Sequence, residues 1–113
     1  MSKSEQHAAE FGTHCTRTLS ELSHADFVIS CLPTSVEVAA VVEELAPQLK
    51  TGSVWIDCTS GNPDITKELS LTLAKNDVTM VDCPISGGPA GAKSGQLTAM
   101  VGGDVKDLSL IHI

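Results

Sequence analysis

Three short apolar runs constrain this chain more than any other feature. They cover residues 26–32, 53–58 and 78–85, and two stretches of helical character separate them. Each run is β-branched and apolar without the strict alternation of a half-wet sheet, so each reads as a buried strand of a parallel sheet. Residues 35–49 read as a helix, with Val38, Val41, Val42, Leu45 and Leu49 at helical spacing and Ser35 as the cap. Residues 59–63 form a polar turn, and 64–75 a second helix. Parallel strands need such crossovers. The pattern therefore predicts βαβαβ, one half of a doubly wound α/β sheet with right-handed connections. Upstream, 4–11 reads as a short helix, 12–18 as a weak strand, and 20–25 as a short helix capped by Ser20. Downstream, a small-residue loop leads to a last strand at 97–101.

A chain of 113 residues holds one domain. With one Trp, two Phe and no Tyr, its core must be aliphatic. No apolar run reaches the ~20 residues of a membrane helix, and the first residues lack a signal-peptide layout. A net charge of −7 with scattered Lys and Arg argues against nucleic acid as a partner. Cys15, Cys31, Cys58 and Cys83 lack metal-site spacing, so no metal is expected. Cys31, Cys58 and Cys83 each sit at or near the end of an apolar run and read as small buried hydrophobes in a reducing compartment. His7, His14, His24 and His112 form no triad-like pairing and read as incidental.

The segment 82–103 carries the chemistry. It reads Asp82-Cys83-Pro84-Ile85-Ser86-Gly87-Gly88, then Gly91-Ala92, Gly95, Leu97-Thr98 and Met100-Val101-Gly102-Gly103. Glycines let backbone approach a ligand closely, and Ser86 adds a hydroxyl that donates and accepts. A loop at the carboxyl end of a strand is where open α/β sheets bind ligands.

In order and spacing, this segment resembles the substrate-binding signature of the β-hydroxyacid dehydrogenases, which include 3-hydroxyisobutyrate dehydrogenase and, more distantly, 6-phosphogluconate dehydrogenase. The resemblance covers roughly residues 25–104. It implies a Rossmann-like, mainly parallel fold, NAD or NADP as cofactor, and hydride transfer to or from a small 3-hydroxy acid. It implies that Ser86, Gly87 and Gly88 hold the substrate. Leu32 and Pro33 match the Leu-Pro that lines the cofactor path in the family. Asp57-Cys58-Thr59-Ser60 resembles the family's Asp-x-Ser-Thr turn, which makes Ser60, with Thr59 as a neighbour, the hydroxyl beside the nicotinamide ribose. Without the resemblance, Pro33 also reads as a helix-entry proline, Thr59-Ser60 as a helix cap, and the glycines as a structural turn. Lys93 reads as a solvated loop lysine. Asp57 and Asp82 read as acceptors for local backbone donors.

The family opens with a strand and Gly-x-Gly-x-x-Gly, and no such motif occurs here. The family's catalytic lysine lies in a helix after the Val-Gly-Gly strand, so no catalytic residue is assigned here. The expectation is a fragment. Residues 1–104 would be a partial NAD(P)-binding domain without the first glycine-rich βαβ unit, and 105–113 a truncated or aberrant tail. The C-terminal helical domain would be absent, and this piece alone would be inactive. The intact protein would be a homo-oligomer of the cytosol or mitochondrial matrix, engaging neither nucleic acid nor membrane. The rival readings are a non-catalytic dinucleotide-fold module for binding or assembly, and a fragment with no activity; an intact Ser86-Gly87-Gly88 favours the enzyme.

Overall fold

The computed structural model describes residues 2–102. The elements run α1 (Lys3–Phe11), β1 (Phe27–Ser30), α2 (Ser35–Leu45), β2 (Val54–Asp57), α3 (Pro63–Lys75), β3 (Thr79–Asp82), β4 (Ile85–Ser86), α4 (Gly88–Ser94) and β5 (Thr98–Ala99). Strands β1, β2 and β3 form a parallel sheet in that order. Register pairs Val28 with Trp55, and Ser30 with Asp57 and then Asp82. The expected α/β, Rossmann-like half-sheet is what forms.

Helices α2 and α3 touch each other and share one core with the sheet. Val38, Val42 and Leu45 of α2 and Leu69 and Leu73 of α3 pack with Val28, Trp55 and Val78. This follows from the two periodicities. Apolar residues at i, i+4 and i+7 make a helix stripe, and alternate strand residues share one face. The other face of β1 is open: Phe27 is 42% and Ile29 68% exposed.

Several local expectations need correction. Residues 12–18 contain no strand. Gly12 ends α1 in the left-handed conformation, and Thr18 opens a 3-10 turn, Leu19–Leu22. There Glu21 accepts from the amides of Arg17 and Thr18 at 2.9 and 3.0 Å. Thr18, not Ser20, is thus the cap, and the turn stops at Leu22 instead of running to residue 25. Thr34, not Ser35, caps α2. Its hydroxyl accepts from Val36 N at 3.2 Å, and its amide donates to Glu37 at 3.0 Å. The Thr34-x-x-Glu37 spacing is a capping box. Helix α2 ends at Leu45, and Ala46–Gln48 tightens to 3-10 before buried Leu49.

The run 78–85 is not one strand. Strand β3 ends at Asp82, because Pro84 has no N–H to extend the ladder. Ile85 and Ser86 instead pair antiparallel with Ala99 and Thr98. The loop between them folds into α4. The predicted tail, 105–113, lies outside the described residues.

Candidate functional site

The carboxyl ends of β1 and β2 are tied by one buried polar network. The Trp55 indole N–H donates to Ser30 Oγ at 2.9 Å, and the Ser30 hydroxyl donates to Asp57 Oδ1 at 2.9 Å. The Thr59 amide donates to the same carboxylate oxygen at 3.0 Å. Leu32 N donates to Thr59 Oγ1 at 3.0 Å. Asp57 is only 2% exposed, so these bonds stand in for the water it lost. Asp57 serves a local backbone donor, as expected from sequence, but also a side chain on the neighbouring strand.

This network sorts the two hydroxyls of the Thr59-Ser60 pair. Thr59 is buried and its oxygen already accepts from Leu32, so it positions the turn. Ser60 is exposed, and its hydroxyl has no partner among the described residues. Half-buried Leu32 and exposed Pro33 follow β1, the neighbour of β2, and Leu32 N reaches Thr59. The four positions suggested for a dinucleotide are thereby brought to one edge.

A cavity of about 400 Å³ opens between the ends of β2 and β3. Thr59, Ser60, Gly61, Pro63, Asp82 and Pro84 line it. Gly61 is required by close approach: a Cβ there would lie 1.9 Å from Ser35 Oγ. That oxygen accepts from Asn62 N at 2.7 Å and joins the start of α2 to the turn before α3. Gly61→Ala is therefore expected to cost about 0.5–1.5 kcal/mol, by displacing the Ser35 hydroxyl from its bond with Asn62 N. Urea unfolding measures the loss. Adding Ser35→Ala should recover part of it, because the clashing oxygen is removed; no recovery would sink this account.

Asp82 has no hydrogen bond to its carboxylate among the described residues. Burial, and then the charge of Asp57, hold its pKa above the ordinary aspartate value. Its ionised form is thus less favourable in the folded chain than in the unfolded one. Its contribution to stability is full below the ordinary aspartate pKa and is lost as pH rises through the raised value. Asp82→Asn is expected to raise Tm at pH 7, with the gain shrinking as pH falls below the aspartate range. Thermal scans at several pH values check this; an equal gain at every pH would contradict it.

Ser86 and Gly88 are exposed and flank Gly87, which has φ of 127°. A Cβ at Gly87 would meet Leu97 Cδ2 at 3.2 Å, whereas one at Gly88 would meet nothing within 4 Å. The three residues sit where β4 turns into α4, and none of them lines the 400 Å³ cavity. Lys93 is exposed near the end of α4.

The cysteines depart from the sequence reading. None is fully buried: Cys15 and Cys31 are exposed, and Cys58 and Cys83 are intermediate. The strands stop one residue before Cys31, Cys58 and Cys83, so these residues lie at the rim and not in the core. Among the described residues, no group of three or more His, Cys, Asp or Glu is placed to hold a metal ion. His7 Nδ1 lies 2.8 Å from Thr13 Oγ1, and its ring packs against Phe11. His112 lies outside the described residues.

Sequence reasoning gave Ser30, Ser35, Trp55 and Gly61 no part in the site, and Ser35 entered only as a helix cap. A serine inside an apolar run and a single tryptophan were the available signals for the first and third. Nothing local marks Ser35 against Gly61, since that contact spans two crossovers.

Comparison with known proteins supplies what the geometry does not. Residues 1–112 match the family model described as the NAD binding domain of 6-phosphogluconate dehydrogenase. The mouse mitochondrial 3-hydroxyisobutyrate dehydrogenase is 40% identical over 82 residues, which are 70% of this chain and 24% of that protein. An NAD-dependent L-serine dehydrogenase of Pseudomonas aeruginosa is 36% identical over 87 residues, 74% of this chain and 29% of that protein. A solved 3-hydroxyisobutyrate dehydrogenase of Mycobacterium tuberculosis with L-serine superposes with a TM-score of 0.87 at 28% identity, over 92% of this chain and 36% of the other. The chain spans about a quarter of the length of the curated relatives it matches.

Proposed function

Given that the chain belongs to the family of NAD binding domains of 6-phosphogluconate dehydrogenase, we propose that it is part of an oxidoreductase moving hydride between NAD or NADP and a small 3-hydroxy acid. The observation that carries this reading is the carboxyl edge of the sheet, where Leu32 and Pro33 after β1 and Ser60 after β2 follow adjacent strand ends and Ser60 lines a cavity of about 400 Å³. Ligands of open α/β sheets bind outside the carboxyl ends of the strands. These residues fit a nicotinamide dinucleotide: Leu32 and Pro33 offer an apolar wall, and Ser60 a hydroxyl for a ribose. The cofactor supplies the hydride acceptor, and the protein supplies orientation.

The chain's own residues do three things in this scheme. Asp57, through Thr59 and Ser30, holds the two strand ends at a fixed separation. Ser60 positions the cofactor. Ser86 with the Gly87 and Gly88 backbone holds the carboxylate and hydroxyl of the substrate, which backbone amides and one hydroxyl can grip without a cation. No proton-transfer residue is assigned within residues 2–102. We assign the domain to residues 1–104 and the intact protein to a homo-oligomer in the cytosol or mitochondrial matrix. Among the described residues, no helix is long and apolar enough to cross a membrane.

The test is dinucleotide reduction, followed by absorbance, with 3-hydroxyisobutyrate and with L-serine. A longer protein carrying this segment is expected to turn over at least one of them, and the 113-residue chain alone neither. A longer protein that binds NAD or NADP yet oxidises neither acid would overturn the reading in favour of a binding module.

A further inference from the structure

Three parallel strands each run into a cysteine. Register pairs Ser30, Asp57 and Asp82 across the sheet, and Cys31, Cys58 and Cys83 are the next residues of the three strands. Backbone pairing continues to this level, with Cys58 N donating to Ser30 O at 2.7 Å and Cys83 N to Asp57 O at 2.8 Å. Neighbouring strands lie about 4.8 Å apart, and residues at one register level point to the same face. A disulfide needs Cα atoms roughly 4.4–6.8 Å apart with Cβ atoms on one side. We propose that Cys58 and Cys83 are an oxidisable pair that closes a disulfide between the ends of β2 and β3 when the protein meets a hydroperoxide.

Two observations favour Cys83 over Cys31 as the partner of Cys58. The Cys83 thiol acts on the Cys58 thiolate more strongly than Cys31 does. Cys58 and Cys83 are also alike in burial, both intermediate, whereas Cys31 is exposed. Burial, followed by these neighbours, pushes the Cys58 thiol up to about 11. Cys58 is therefore the resolving sulfur and Cys83 the attacking one.

The step balances with hydrogen peroxide as the oxidant. The Cys83 thiolate sulfur attacks one peroxide oxygen, and the O–O bond breaks. Cys83 becomes a sulfenic acid, and the released hydroxide leaves as water with the thiol proton. The Cys58 sulfur then attacks the Cys83 sulfur. The S–S bond forms, the S–O bond breaks, and the second hydroxyl leaves as water with the Cys58 proton. Two electrons pass from the thiols to the peroxide.

The lysines and arginines place each cysteine in its own tryptic peptide: Cys15 in 4–17, Cys31 in 18–50, Cys58 in 51–67 and Cys83 in 76–93. The 113-residue chain is treated with hydrogen peroxide, its remaining thiols are alkylated, and it is digested without reductant. The expected result is an intrachain link between 51–67 and 76–93 as the main product, with the mass of two hydrogens lost. Cys83→Ser should abolish that link and return Cys58 alkylated, and Cys15→Ser should leave it unchanged. In urea its share should drop, because register no longer brings the sulfurs together. A main link through Cys15 or Cys31, a link between chains, or the same yield in urea would overturn the proposal. These readouts depend on strand register alone, so they stand apart from the reading of the activity.

Discussion

Trp55→Ala is expected to cost about 3–5 kcal/mol of folding free energy, the range for truncating a large buried aromatic. Trp55 is fully buried at the centre of β2, and its ring packs where α2 and α3 meet the sheet. Its truncation leaves a cavity, and the Ser30 hydroxyl loses a donor while still bonded to Asp57. A domain of this size has about 5–15 kcal/mol in all, so the variant should lose a large share of its stability. Trp55→Phe separates the two contributions. It keeps most of the packing and loses the indole hydrogen bond, worth about 0.5–1.5 kcal/mol. Urea unfolding followed by circular dichroism suits both variants, since each lacks the fluorescent indole. An alanine variant within about 1 kcal/mol of the parent would mean that the core does not centre on β2.

Gly87→Val, in a longer protein that carries the whole enzyme, is expected to reduce kcat/KM more than Ser86→Ala does. For Ser86→Ala, losing a hydrogen bond to a charged substrate group costs about 1.5–3 kcal/mol, or roughly tenfold to hundredfold in kcat/KM. Valine at 87 adds two further penalties. Its backbone angle of 127° is one that branched residues avoid, and its Cβ would press on Leu97. The chain must reshape there, which moves Ser86 and Gly88 together. Cofactor affinity should change little in both variants, whereas Ser60→Ala should weaken the cofactor and spare the substrate. Steady-state kinetics beside a dinucleotide titration reads all three. If Ser86→Ala weakens the dinucleotide and leaves substrate kinetics normal, the loop has been given the wrong ligand.

The sequence was legible where structure is local. The stripe of Val38, Val42 and Leu45 marks α2 because helical spacing alone places those residues on one side, whereas Leu49, read on the same stripe, is buried beyond the helix end. The glycine segment announced a ligand loop and carried the family resemblance. Legibility failed where two local signals competed. Thr34 and Ser35 are both capping residues, and the glutamate three places after Thr34 decides between them. Pro84 interrupts a run that otherwise reads as one strand, and hydrophobicity alone gives it no weight.

The chain by itself determined the order β1, α2, β2, α3 and β3, the parallel sense of that sheet and the apolar stripes that bury the core. Each is set within one or two turns of backbone, so neighbouring residues suffice. Only the tertiary structure decided which groups meet at the strand ends. The Ser30–Asp57 bond joins residues 27 apart, and Trp55 reaches Ser30 across 25. Gly61 is confined by Ser35 from another crossover, and Cys58 stands level with Cys83 on the neighbouring strand. These pairings depend on register. A slip of one residue would turn every strand side chain to the opposite face, and the buried network of Trp55, Ser30 and Asp57 exists in one alignment alone.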